Sequence, residues 1–237
     1  MITTILFDLD GTLLPMDEEL FIKTYFGGLG QTMATHNYEP NQFAKTIWKG
    51  TQAMLQNDGA KTNEQVFWDV YAQTYGDDKR KDVSIFADYY NSHYIQTKNA
   101  CGFNPKVPPM IESLQQRGLK LAIATNPFFP RIATSQRICW AGLNPDSFAL
   151  FTTYENSRHC KPNLAYYQDI LQQLGVQPNE CIMVGNDVAE DMIASQLGIK
   201  VFLLTDCLIN KHNLPTGNYP QGNIDDLVRF LDREIGI

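Results

Sequence analysis

The sequence lacks long apolar runs, a basic stretch and a signal-like N-terminus. Its apolar runs reach only strand length, far short of the roughly 20 residues that span a bilayer, so we expect no membrane span. The N-terminal stretch MITTILFDLD has no basic segment before its apolar run, which argues against a secretory signal peptide. The formal net charge of −7, without a basic stripe, argues against nucleic acid as a partner.

Cysteine pairs are also missing. The five cysteines are scattered, odd in number and nowhere arranged as CxxC: Cys101, Cys139, Cys160, Cys181 and Cys207. This usage argues against a disulfide framework and against a zinc site. Free thiols in a reducing compartment fit it better, so we expect a cytoplasmic protein.

What the sequence does contain is a globular composition with alternating elements. The chain has 237 residues, 43% hydrophobic and 19% charged, enough for one large domain or for a core with a smaller companion. Apolar runs predict strands over 3–9, 119–125, 148–153, 181–185 and 200–205, and periodic segments predict helices over 109–116, 132–140, 163–175, 189–198 and 224–234. This alternation predicts an α/β fold, with a Rossmann-like parallel-sheet core and helices on both faces.

Between the first strand and this alternation the sequence is only helical. Four amphipathic segments, over 18–30, 41–55, 63–76 and 83–97, carry apolar and aromatic residues at helical spacing. Glycines separate them, and no strand-like run interrupts the region. We therefore predict an α/β core formed by residues 1–15 and 100–237, with an all-helical domain, residues 16–99, inserted after the first strand.

The run ILFDLDGTLL places two aspartates, Asp8 and Asp10, at the tip of the first strand. Like charges this close resist ionising together unless a cation or a hydrogen-bond network compensates them. Capping of a turn is the ordinary explanation for an isolated DxD pair. The buried approach and the longer DxDGT string, in which Gly11 permits a tight turn, favour a functional role instead.

Two further places lie where open α/β sheets bind ligands, just beyond strand ends. Thr125 and Asn126 follow a predicted strand and could donate hydrogen bonds to an anion, although alone they fit an ordinary turn better. Lys161, just before Pro162, could neutralise an anion, although alone it fits a solvated lysine better. His159 has no partner at ligand spacing, so we expect it to form only a local hydrogen bond.

The segment VGNDVAED follows the predicted strand over 181–185. Asp187 and Asp191 are four residues apart, so an opening helix would place them on one face. Two carboxylates at this spacing repel each other, and a divalent cation bound by oxygen ligands would relieve that repulsion. An acidic cluster favoured by the helix dipole is the alternative.

In this order, DxDGT, a strand-end threonine, Lys-Pro and GNDxxxD resemble the motifs of the haloacid dehalogenase superfamily. The resemblance covers the whole chain, and the helical segment resembles that family's first-position (C1) cap. It implies that Asp8 is the nucleophile and Asp10 the general acid and base. It also implies that Thr125, Asn126 and Lys161 bind the phosphoryl group, that Mg²⁺ bridges Asp8, the Asp10 carbonyl and the fourth motif, and that the first strand lies between those of the second and fourth motifs.

The fourth motif departs from the family pattern. Many members have an aspartate directly after its glycine, where this chain has Asn186 followed by Asp187. Either Asp187 binds the metal directly, or Asn186 does so through its amide oxygen. We favour Asp187 together with Asp191, with Asn186 as a third member of the set.

The resemblance implies a Mg²⁺-dependent phosphatase that hydrolyses a small phosphorylated metabolite through an aspartyl-phosphate. Alternatives are a phosphomutase, a phosphonate-cleaving enzyme that would need an additional cap lysine such as Lys23, and a non-catalytic binding or regulatory protein. Dehalogenation is disfavoured, because family members that cleave carbon–halogen bonds generally lack the aspartate found here as Asp10.

A helical lid would exclude water and close over a small substrate. Candidates for substrate selection lie on its first helix: Phe21, Lys23, Thr24 and Tyr25. We expect the many aromatic residues of the segment to form its own core, with an aromatic substrate pocket as the alternative.

Overall fold

A computed structural model of the protein describes residues 1–236. In this part of the chain, six parallel strands form one sheet in the order β3-β2-β1-β4-β5-β6. Their bounds are β1 Thr4–Phe7, β2 Lys120–Ile123, β3 Leu150–Phe151, β4 Cys181–Gly185, β5 Lys200–Leu204 and β6 Gln221–Gly222. Strand β1 pairs with both β2 and β4, as the resemblance implies.

Within the described residues, eight α-helices complete the fold. Four follow β1 directly, α1 Glu18–Ala34, α2 Pro40–Leu55, α3 Asn63–Tyr75 and α4 Val83–Ser92, and four accompany the sheet, α5 Val107–Gln116, α6 Arg131–Trp140, α7 Leu164–Leu174 and α8 Ile224–Ile235. Short 3₁₀ helices occupy Asp77–Asp82, Tyr94–Ala100, Pro145–Ser147, Pro178–Glu180 and Met192–Leu197. Within residues 1–236, no helix has the length and apolar character needed to cross a membrane.

The sheet is buried on both faces, because neighbouring residues of its strands belong to different hydrophobic clusters. Ile5 and Phe7 of β1 share a cluster with side chains of α5, α6 and α8, whereas Leu6 shares another with those of α7. The first cluster continues into the helices that follow β1. The predicted fold class, a parallel α/β core with helices on both faces and an inserted helical segment, is therefore confirmed.

The chain leaves the sheet and returns to it at adjacent points. Met16 pairs with Cys101 in an antiparallel bridge, and the Gly102 N–H donates to the Pro15 carbonyl at 2.7 Å. We call residues 16–99 the helical insert. These contacts lie at the predicted boundaries near residues 15 and 100, and the division into two domains stays a prediction.

One predicted α-helix is not formed in the structure. Instead of a helix over 189–198, residues 188–191 form a turn, and a 3₁₀ helix follows over Met192–Leu197. The Asp187 carboxylate accepts hydrogen bonds from the N–H groups of Ala189 and Glu190, at 2.8 and 2.9 Å, and so stabilises the turn. Such side-chain bonds to nearby backbone compete with α-helix formation.

Candidate active site

The carboxyl ends of β1, β2 and β4 bring the predicted site residues to one edge of the sheet. Asp8 directly follows β1, and its N–H donates to the Val184 carbonyl of β4 at 2.8 Å. The Ala124 N–H donates to the Phe7 carbonyl at 2.7 Å and carries Thr125 to the same edge. Parallel pairing therefore brings together the residues that sequence reasoning took from separate motifs.

Lys161 bridges two buried carboxylates. Its Nζ lies 2.9 Å from Asp8 Oδ1 and 2.6 Å from Asp191 Oδ1, and the lysine is only 1% exposed. Burial disfavours the charged amine, but Asp191 and Asp8 outweigh it and raise the pKa of Lys161 well above its usual value. The buried Lys161 ammonium thus offsets the negative charge of one aspartate from the first motif and one from the fourth.

Asn186 is oriented by two hydrogen bonds. Its Nδ2 donates to the Cys207 carbonyl at 2.7 Å, so its Oδ1 faces Thr12, whose hydroxyl lies 2.8 Å from it. The same Thr12 hydroxyl lies 3.2 Å from Asp8 Oδ2. Gly11 makes this approach possible, because its φ is +83° and a side chain there would collide with the Asn186 amide.

Asp187 and Asp191 play different structural roles, contrary to the shared helical face predicted for them. Asp191 reaches back across the strand end, where a side chain at Gly185 would collide with it, and its Oδ2 accepts from the Asp187 N–H at 2.9 Å. Both oxygens of Asp191 are therefore engaged. Both residues line the cavity described below, but the turn uses only the Oδ1 of Asp187.

Thr125 lines that cavity, and its backbone carbonyl accepts from the Thr152 hydroxyl at 2.6 Å and the Tyr166 hydroxyl at 2.8 Å. The Asn126 side chain has a supporting position, since its Oδ1 accepts from the Lys161 N–H at 3.2 Å. His159 pairs with Asp169 at 2.7 Å, the local hydrogen bond that the sequence predicted.

Arg137 contacts Asp10 and was missed by sequence reasoning. This fully buried arginine of α6 places Nε 3.2 Å from Asp10 Oδ1, and its Nη1 donates to the Tyr94 hydroxyl at 2.8 Å. Burial raises the pKa of Asp10 to about 6, against the lowering effect of Arg137. The signal was its place at helical spacing after Ala133, on the buried face of α6.

Glu190 is a second residue that sequence reasoning passed over. Its Oε2 accepts from the Asn126 Nδ2 at 2.9 Å, and its side chain lines the cavity beside Asp187. Burial raises the pKa of Glu190 to about 7, although Lys161 opposes this rise. The signal was its place inside the fourth motif, immediately before Asp191.

The donor set fits a hard cation held by few protein ligands. Carboxylates outnumber cations here: the cations are Lys161, Arg137 and, toward the rim, Lys211, and the carboxylates are Asp8, Asp10, Asp187, Glu190 and Asp191. Within residues 1–236, no three His, Cys, Asp or Glu side chains form a metal cage. Mg²⁺ is usually bound through one or two carboxylates and keeps several waters, so the residues present fit it.

A cavity of about 300 Å³ extends from these carboxylates into the helical insert. Two of the predicted selection residues, Phe21 and Tyr25, line it. The other two, Lys23 and Thr24, do not belong to its lining, and Lys23 is exposed. The cavity is therefore charged at the sheet edge and bounded by the insert at its other end.

Comparison with known proteins identifies the class to which this fold and site belong. The family model of the haloacid dehalogenase-like hydrolases matches residues 2–205, so the chain belongs to that hydrolase family. A phosphoglycolate phosphatase from Aquifex aeolicus is 25% identical to it, over 98% of this chain and 97% of that protein. The pyrophosphatase PpaX from Bacillus cereus is also 25% identical, over 82% and 79%.

Solved structures share the fold. A HAD phosphatase from Thermococcus onnurineus matches with a TM-score of 0.58 and 19% identity, over 99% of this chain and 98% of that one. A 2-haloacid dehalogenase from Pseudomonas syringae matches with a TM-score of 0.63 and 19% identity, over 99% and 100%. Since phosphatases and dehalogenases both match, the fold alone does not select the reaction.

Proposed function

We propose that the protein is a Mg²⁺-dependent phosphatase that hydrolyses a small phosphorylated metabolite through an aspartyl-phosphate on Asp8. The observation that carries this proposal is the ion pair between Asp8 and Lys161, with Asp10 beside it. The Asp10 side chain remains 26% exposed, so a substrate can reach it. The curated relatives, a phosphoglycolate phosphatase and a pyrophosphatase, support the same reaction class.

In the first half of the reaction, a carboxylate oxygen of Asp8 attacks phosphorus and the ester P–O bond breaks. Asp10 donates its proton to the departing alkoxide, and Thr125 donates a hydrogen bond to a phosphoryl oxygen. A carboxyl group whose pKa is raised to about 6 holds a proton more readily than an ordinary aspartate and suits this role. Lys161 offsets the charge on Asp8, which lets the carboxylate approach an anionic phosphoryl group.

In the second half, Asp10 takes a proton from water as the water oxygen attacks phosphorus. The bond between phosphorus and Asp8 breaks, inorganic phosphate leaves, and the free carboxylate is restored. Covalent catalysis of this kind divides one displacement into two easier steps.

The proposed ligands for Mg²⁺ are Asp8, the backbone carbonyl of Asp10, and Asp187 or Asn186. Both carboxylate oxygens of Asp191 are bonded, one to Lys161 and one to the Asp187 N–H. Asp191 would therefore support the position of the ligands without binding the metal itself. When bound, the cation would neutralise charge on the phosphoryl oxygens.

Other reactions find less support. Phosphonate cleavage would use a lysine of the insert, and Lys23 is exposed and outside the cavity lining. The resemblance disfavours dehalogenation because Asp10 is present. No observation favours a phosphomutase or a non-catalytic protein.

The test is phosphate release from p-nitrophenyl phosphate by the purified protein with Mg²⁺. We expect hydrolysis by the wild type, its loss in Asp8→Asn, and its retention in Asp146→Asn, an exposed aspartate away from the site. A wild-type protein that remains inert on a broad phosphate-ester panel with Mg²⁺, Mn²⁺ and Co²⁺ contradicts the proposal. Equal activity of Asp8→Asn would also contradict it.

A further inference from the structure

The wall that the helical insert contributes to the cavity is almost free of charge. All four helices α1 to α4 supply side chains to it, and Glu18, at its rim, is its single charged member among the described residues. Aromatic rings dominate the rest: Phe21, Tyr25, Phe26, Trp48, Phe67, Trp68, Phe86 and Tyr90. The insert therefore presents rings, and no cation, to whatever is attached to the phosphoryl group.

Trp68 Nε1 is a buried N–H of this wall that has no hydrogen-bond partner among the described residues, whereas the hydroxyls of Tyr25, Tyr90 and Thr51 are satisfied within the protein. The Tyr25 and Tyr90 hydroxyls lie 2.9 Å apart, and the Thr51 hydroxyl donates to the Ile47 carbonyl at 3.1 Å. Burial raises the pKa of Tyr25 to about 12, so the phenol is neutral at ordinary pH. These groups offer an incoming anion neither a positive charge nor a cluster of free donors.

Within residues 1–236, one cation does reach the lining, but it is already paired. Lys211 comes from the loop after β5 and lies 3.1 Å from the Glu18 carboxylate. The lysine side chain is 70% exposed, which places the pair at the open rim. An anion deep in the insert would not be neutralised by Lys211.

A charged leaving group would therefore lose its hydration in this wall without finding a cation to neutralise it. Moving an unpaired carboxylate or phosphate from water into such surroundings is strongly unfavourable. An apolar ring has the opposite preference, since it gains buried area and edge or face contacts with aromatic side chains. Phe26 and Trp48 already stack in this way, with ring centroids 5.2 Å apart and planes 13° apart.

The size of the space agrees with a small ring compound. A cavity of roughly 150 Å³ lined by apolar side chains accommodates benzene. The space here is about 300 Å³, and part of it adjoins the carboxylates where a phosphoryl group would lie. A leaving group of one or two rings fits what remains.

We propose that the substrate of this site is a phosphate monoester whose leaving group is an uncharged alcohol with an apolar ring. The inference rests on the proposed phosphatase function and specifies its substrate class. Phosphoglycolate carries a carboxylate on its leaving group and pyrophosphate a phosphate, so the substrate class differs from the compounds for which the relatives are named.

The first test compares two esters that differ by one charge, benzyl phosphate and 4-carboxybenzyl phosphate. Both contain the same ring and the same scissile bond, so the comparison isolates the carboxylate. We expect kcat/KM to be at least about tenfold higher for benzyl phosphate, because the added charge is desolvated without a cation to neutralise it. Equal values, or a preference for the carboxylated ester, would overturn the inference.

A matched pair of variants places the charge effect in the cavity. Thr51 of α2 and Thr24 of α1 are both half-buried threonines of the insert, but only Thr51 lines the cavity. We expect Thr51→Lys to shift the kcat/KM ratio of the two esters at least about fivefold toward the carboxylated one, since it supplies the missing cation. Thr24→Lys should leave the ratio unchanged, and equal shifts in both variants would contradict the assignment.

A binding measurement separates this inference from the proposed function. Benzylphosphonate and 4-carboxybenzylphosphonate cannot be hydrolysed at an ester bond, so calorimetry with the wild type reports binding alone. We expect the uncharged compound to bind at least about tenfold more tightly. If no ester is hydrolysed, the phosphatase proposal fails, and this ratio still decides the inference: equal or tighter binding of the carboxylated compound overturns it.

Discussion

The two ends of the cavity are built in opposite ways. At the sheet edge, charged side chains such as Asp8 and Lys161 are held at 2.9 Å by strand ends and tight turns. In the insert, rings such as Phe67 and Trp48 are held by packing between helices, and Trp48 remains 46% exposed. The rigid core end can therefore determine the reaction. The insert end can change its contacts and so determine which leaving groups bind.

The largest expected effect comes from removing the cation of the core end. Lys161→Met leaves Asp8 and Asp191 buried beside each other without compensation. We expect kcat to fall about 100- to 1,000-fold. We also expect the free energy of unfolding to fall by about 3 kcal/mol, because unpaired buried charges are costly.

Phosphate-release assays and urea titration measure these two losses. The control is Lys106→Met, which breaks an exposed pair with Asp225 in which both side chains are about half exposed. It should cost less than about 1 kcal/mol and leave activity intact. Equal losses of unfolding free energy in the two variants would mean that the buried Lys161 pairs stabilise the protein no more than an exposed pair does.

Arg137 joins the two ends, since it contacts Asp10 of the core and Tyr94 where the insert returns to the sheet. We expect Arg137→Met to misplace Asp10 and to lower kcat for benzyl phosphate roughly tenfold to 100-fold. The loss should be smaller for p-nitrophenyl phosphate, whose good leaving group needs little protonation.

Arg137→Lys should restore part of the activity toward benzyl phosphate, because it keeps a cation beside Asp10. A merely structural role would lower kcat for both esters equally. The measured quantity is the ratio of kcat for benzyl phosphate to kcat for p-nitrophenyl phosphate. If Arg137→Met leaves this ratio unchanged, Arg137 does not position Asp10.

The metal proposal predicts a smaller effect at Asp187. Asp187→Asn keeps an oxygen that can accept from the turn over residues 188–191 but removes the charge. We expect the Mg²⁺ concentration for half-maximal activity to rise about tenfold, as for changes to ligands and their supporting groups. Asp146→Asn is the matched control, and an unchanged requirement in Asp187→Asn would favour Asn186 as the ligand.

The core end of the cavity could be predicted from the sequence more completely than the insert end. A strand-end motif carries its own geometry, so Asp8, Asp10 and Thr125 could be assigned to one sheet edge before their contacts were known. Arg137 and Glu190 could not, because a buried charge is explained only by partners on other elements, here Asp10 and Asn126. Periodicity also misassigned residues 189–198, where hydrogen bonds to the Asp187 side chain favour a turn.

The aromatic residues of the insert show a different limit. Helical spacing predicts that rings are buried, and Phe43 and Tyr71 do lie in the insert's own core, at 1% and 0% exposure. It does not separate them from Phe67 or Phe21, which pack in the same cluster and also line the cavity. That distinction depends on how helices pack against each other and against the sheet.

The smallest expected effect tests the packing that shapes the insert end. Gly50 of α2 lies against α3, and an added Cβ would come 2.6 Å from the Phe67 ring, which lines the cavity. Gly50→Ala should therefore displace the Phe67 ring, raise KM for benzyl phosphate about threefold and leave kcat unchanged. It should also lower the free energy of unfolding by about 1 kcal/mol, after the gain in helix propensity is counted. Gly30→Ala, where nothing lies within 4 Å, should stabilise the protein slightly and change neither constant. If both variants alter kcat and spare KM, the insert takes part in the chemical step and the separation of the two ends does not hold.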